Sequence, residues 1–76
     1  MREVIVMPVD IPRAILIVAD SRGSHESWLI WYDQHPDQEA AHAETCGDRE
    51  WHRRCINDYD HVLDVLRRIL EERPTP

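Results

Sequence analysis

Near the C-terminus Tyr59, Val62, Leu63, Leu66, Ile69 and Leu70 recur at intervals of three and four residues. That spacing puts all six on one stripe of an α-helix. Asn57 or Asp58 can cap its start, and Pro74 can end it. An amphipathic helix is stable only against a second apolar surface, so the rest of this 76-residue chain has to provide one.

The candidates for that surface are three apolar runs. Val4-Ile5-Val6-Met7 is β-branched and stops at Pro8, and it predicts a first strand. Ala14-Ile15-Leu16-Ile17-Val18-Ala19 is apolar without alternation, which predicts a central strand covered on both faces. The polar segment Asp20 to Glu26 then makes a hairpin connection to a third strand, Trp28-Leu29-Ile30-Trp31-Tyr32. Pro36 opens a short helix from about Pro36 to Cys46, with Asp37 and Glu39 at the positive end of its dipole and Gly47 as its left-handed cap. Arg49 to Ile56 fits an edge strand, although Trp51 and Cys55 also fit helical spacing. The expectation is an α+β fold: one domain over residues 1–76, an antiparallel sheet of three or four strands, a C-terminal amphipathic helix and a short middle helix.

Charge narrows the functions open to such a domain. Fifteen acidic residues against nine basic ones give a net charge of −6, whereas a duplex-binding protein of this size carries a basic face to neutralise phosphates. Direct nucleic-acid binding is therefore not expected. All nine basic residues are arginine, which fits a GC-rich coding sequence first, although arginine's planar fork also suits interface ion pairs. No run reaches the length of apolar residues that spans a bilayer, and no leader pattern precedes the domain, so the reading is cytoplasmic. Cys46 and Cys55 are then expected as reduced thiols unless a metal holds them.

His42, Cys46, His52 and Cys55 contain the ligand types that zinc selects, and a helix would put His42 and Cys46 on one face. Their order, His-Cys-His-Cys, differs from the close cysteine pair and separate second pair of common zinc modules. A small zinc-binding module is accordingly the alternative reading, and no metal or cofactor is assigned. His35-Pro36-Asp37 resembles the tripeptide by which J-domain co-chaperones engage their Hsp70 partner. In that family the tripeptide lies in a loop between two helices, the first rich in lysine and arginine. Here the preceding segment, Ser27 to Tyr32, is uncharged and strand-like, so the resemblance covers three residues.

No glycine-rich phosphate loop, nucleophile elbow or dinucleotide fingerprint occurs, and two glycines cannot build a phosphate cradle. Pairs such as His25 with Glu26 or His61 with Asp58 are adjacent in sequence, which is not catalytic geometry. The chain is therefore read as no enzyme. Its aromatic load is heavy for its size. Trp28, Trp31, Tyr32 and Trp51, with Asp33 beside them, are the candidate partner-binding residues, because tryptophan and tyrosine are enriched at binding hot spots. The expected function is a non-enzymatic protein-interaction module whose carboxylates steer it toward a basic surface. Its most concrete form is a small acidic inhibitor of a nucleic-acid-binding complex, as phage-encoded anti-CRISPR proteins are as a class, a suggestion resting on size and charge alone. A structural homodimer, closing apolar sheet faces against each other, is a further alternative.

Overall fold

A computed structural model describes residues 8–72. Among them the chain forms three helices and no strand: α1 over Ile11–Gln34, α2 over Glu39–Cys46 and α3 over Arg49–Glu71. The expected α+β fold is thus corrected to an all-α one. The central strand Ala14 to Ala19, the hairpin at Asp20 to Glu26 and the strand Trp28 to Tyr32 are one continuous helix. The edge strand at Arg49 to Ile56 is the first part of α3. The proposed first strand, Val4 to Met7, and the stop at Pro74 lie outside the described residues.

Each long helix begins at a local signal. Asp10 caps α1, its carboxylate accepting from Arg13 N at 3.1 Å, and Pro12 sits in the first turn, where its missing N–H costs nothing. β-Branched residues lower helix propensity by only a few tenths of a kcal/mol each, so one cap, worth about 1 kcal/mol, offsets two or three of them. Ser24 and Ser27 stay within α1 by donating their hydroxyls to the carbonyls of Asp20 and Gly23, one turn back. In α3 the cap is Asp48, which accepts from Trp51 N at 2.8 Å, and Glu50 adds charge of the favourable sign in the first turn. The expected caps, Asn57 and Asp58, are interior to that helix.

α2 ends at Cys46 as expected, but it begins at Glu39 rather than Pro36, because Pro36 to Gln38 form a turn closed by Gln38 N on His35 O at 3.0 Å. Gly47 follows with φ +93° and ψ 143°, not the left-handed helical conformation expected of a cap but an extended one with positive φ that is closed to residues with a Cβ. It lets the chain reverse between α2 and α3.

α1 and α3 pack as an antiparallel hairpin. Arg22 meets Asp60, His25 meets His52 and Tyr59, Trp28 meets His52, and Tyr32 meets Gly47. Only Ile11, Tyr32, His52 and Leu63 are buried among the described residues, all on the line between the two helices. Leu66, expected as core, is only half-buried. At 100° per residue, Ile17, Ser24, Trp28 and Trp31 flank that line on one side of α1. Trp51, Cys55, Val62 and Ile69 flank it on the same side of α3. The opposite broad face carries the ion pairs Arg22–Asp60 and Arg49–Asp33. The hairpin therefore has one largely apolar face and one charged face.

Candidate functional site

The closed end of the hairpin concentrates the chain's rings and its charge. His52 is 1% exposed and lies between the helices, with its Nδ1 2.9 Å from His25 Nδ1, so one ring donates and the other accepts. Its Nε2 is buried without a hydrogen-bond partner. Burial pushes the His52 pKa below the usual histidine value, the positive form of His25 adds to the shift, and the carbonyls of Gly47 and Cys46 oppose it. A neutral His52 is what this environment favours.

Rings pack around that pair. His25 stacks on Tyr59 at 5.6 Å and meets the Trp51 ring edge at 5.2 Å, while Trp28 stacks on His52 at 6.0 Å. His42 brings α2 onto the cluster, meeting Trp31 at 4.8 Å and Trp28 at 5.9 Å. His35 caps α1 and stacks on Trp31 at 4.4 Å. Tyr32 is fully buried and donates its hydroxyl to Gly47 O at 2.6 Å, and burial raises its pKa above the usual phenol value. This bond ties the end of α1 to the turn that starts α3.

The candidate partner residues divide accordingly. Trp51 is half-exposed, Asp33 is exposed and paired with Arg49, and Trp28 and Trp31 line a shallow open cleft with Ser24 and Ser27. Tyr32, at 0% exposure, offers no surface to a partner. The histidines were missed as members of the cluster. Their signal was His25 to Tyr32 and His52 to Tyr59, each seven residues apart and so on one face of a long helix, a spacing invisible while those segments were read as strands.

The four candidate zinc ligands do not converge. His42 lies against tryptophans, His52 bonds to His25, and among the described residues no group of three or more His, Cys, Asp or Glu is placed to hold a metal ion. Cys46 and Cys55 are free, partly covered thiols. The pairing imagined for His25 with Glu26 is also not formed, since Glu26 binds Arg22 at 2.7 Å. His35-Pro36-Asp37 does lie in a loop between two helices, as in the J-domain family, but no lysine or arginine follows Arg22 in α1, so the basic surface of that family is missing.

Residues 33–50 carry six carboxylates, Asp33, Asp37, Glu39, Glu44, Asp48 and Glu50, against the single Arg49, a net charge of −5. The remaining described residues hold eight acids and six arginines, a net of −2. Arg49 is occupied by Asp33 and Glu39, and its pKa is held above the usual value by those hydrogen bonds. The surplus charge is therefore at the tip. Among the described residues no helix is long and apolar enough to cross a membrane. No family model matches the chain, and no similar curated protein or solved structure was found.

Proposed function

We propose that the protein is a non-enzymatic interaction module whose acidic, aromatic tip binds a basic protein surface in the cytoplasm. The observation that carries this is the placement of charge: a net −5 over residues 33–50, beside the half-exposed Trp51 and the Trp28–Trp31 cleft. Carboxylates of one sign around an aromatic centre speed encounter with a cationic partner and reject anionic ones, while the rings supply contact area at small entropic cost. Basic protein surfaces commonly exist to hold nucleic acid. A tip of this charge then acts as an inhibitor by occupying that surface in place of phosphate.

The test is affinity capture from the native host by the parent chain and by an Asp37→Asn/Glu44→Gln/Glu50→Gln variant. Asp48 is left intact because it caps α3. The expected result is a basic protein retained by the parent, released by moderate salt and lost with the variant. Retention that ignores both salt and the tip charges refutes the proposal.

A further inference from the structure

We infer that the apolar face of the hairpin's open end is covered by a second copy of this chain, the two hairpins running antiparallel as a four-helix bundle with their acidic tips at opposite ends. The uncovered residues are Ile17 on α1, 57% exposed, and Val62, Val65 and Ile69 on α3, each 42–44% exposed. They lie on or at the margin of one broad face, away from the tip. A flat two-helix face is matched in shape by another of the same kind.

Charge decides both the occupant and its direction. The arms carry a net of only −2 in mixed signs, against −5 at the tip, so a second copy is repelled less there than at the tip, to which a basic partner is drawn. Parallel hairpins would stack the two tips of net −5 on each other. Antiparallel hairpins overlapping at their open ends separate the tips by roughly 50 Å at 1.5 Å per residue, several times the Debye length of about 8 Å.

Arg13 and Asp20 are placed to be complementary across the two-fold that this arrangement requires. An axis across the helices sets α1 against its symmetry mate and α3 against its own. Arg13 and Asp20, both exposed, flank Ile17 on the apolar side of α1, so an axis at their midpoint brings Arg13 of one copy to Asp20 of the other, twice. In the register that pairs Trp28 with His52 and Arg22 with Asp60, this same level falls between Val62 and Val65 on α3, which then pack on each other across the axis. An overlap of about fifteen residues of each helix gives a footprint of roughly 22 by 20 Å per copy. Before side-chain relief is counted that is about 900 Å² for the two, near the lower bound of about 1,000 Å² for a specific interface. Trp51 and the Trp28–Trp31 cleft stay outside the overlap, so the dimer displays two tips.

Size-exclusion chromatography with light scattering, run across micromolar concentrations, is expected to give twice the chain mass. Ile17→Glu should yield a monomer with unchanged helix content by circular dichroism. Arg13→Asp leaves its backbone N–H on Asp10 and puts a favourable charge in the first turn of α1, so it should fold. It should weaken dimerisation roughly three- to thirtyfold, as expected for two exposed pairs turned repulsive, and Arg13→Asp/Asp20→Arg should restore it. A parent that stays monomeric overturns the inference, and so does a dimer that Arg13→Asp leaves unchanged. Capture by the tip is read separately with the tip variant, so either proposal can fail without the other.

Discussion

Gly47 and Gly23 are the only glycines in the chain, and the structure assigns their replacement by alanine opposite signs. At Gly47 a Cβ would fall inside contact distance of Trp51 Cε3 and at 3.0 Å from Cδ2 and Cζ3, on a backbone with φ +93°. A backbone at φ +93° and ψ 143° costs an L-residue roughly 1–3 kcal/mol. Forcing a methyl into the packed indole costs about 1–3 kcal/mol more, because Trp51 is held against His25 and His52 and has to move away from both. Gly47→Ala should therefore lose about 2–6 kcal/mol. At Gly23 a Cβ meets nothing within 4 Å, and the residue is inside α1, where alanine is worth about 0.5–1 kcal/mol over glycine. Urea melts followed by circular dichroism, at one fixed protein concentration so that association does not shift the midpoints, measure both. In a thermal scan each kcal/mol moves the midpoint by about 4–8 °C for a domain of this size. Gly47→Ala melting with the parent would mean that the turn does not hold this geometry. Gly23→Ala failing to stabilise would place Gly23 outside an exposed helix interior.

Two further expectations concern the buried line of the hairpin. His52 has a folded pKa below its unfolded value near 6.5, so the unfolded chain binds more protons, and the stability present above pH 6.5 is lost as pH falls through the folded value. The urea midpoint should drop between pH 7.5 and 5.5, and the drop should shrink in His52→Gln; an equal drop in that variant would assign it elsewhere. Leu63, 4% exposed, is the buried leucine of α3. Leu63→Ala should cost about 2–5 kcal/mol by melting, enough to unfold a domain of about 5 kcal/mol, and Leu66→Ala, at a half-buried position, should cost less.

The parts of this fold that were legible in the sequence are those set by local chemistry. The stripe from Tyr59 to Leu70 marks a helix because its period is that of the helix, and Gly47 marks a chain reversal because glycine alone tolerates the positive φ between the end of α2 and the Asp48 cap of α3. Asp10-Ile11-Pro12 and Asp48-Arg49-Glu50 are equally local start signals and both start helices, although β-branched Ile15, Ile17 and Val18 and the polar residues around Gly23 point instead to strand and turn. Strand propensity is a weak preference that capping and packing overturn. The histidine cluster was illegible for a different reason. His25 and His52 meet only through the antiparallel register of α1 and α3, a tertiary fact that neither segment states alone.

Ile15, Leu16, Ile17 and Val18 are apolar in every direction the chain can point them. A strand sends them to two faces. A helix sends Val18 inward, Ile17 to one side and Leu16 nearly opposite, and the structure accordingly leaves Ile17 57% and Leu16 71% exposed. An all-round apolar helix is stable when buried on more than one side, and α3 can cover only one. Apolar surface left outside the α1–α3 contact thus follows from composition at four consecutive positions in either backbone. The backbone decides where a second cover can sit: with α3 lying beside α1 rather than across a sheet, Ile17 falls on a flat two-helix face with Val62 and Ile69, the face on which the proposed second copy is placed.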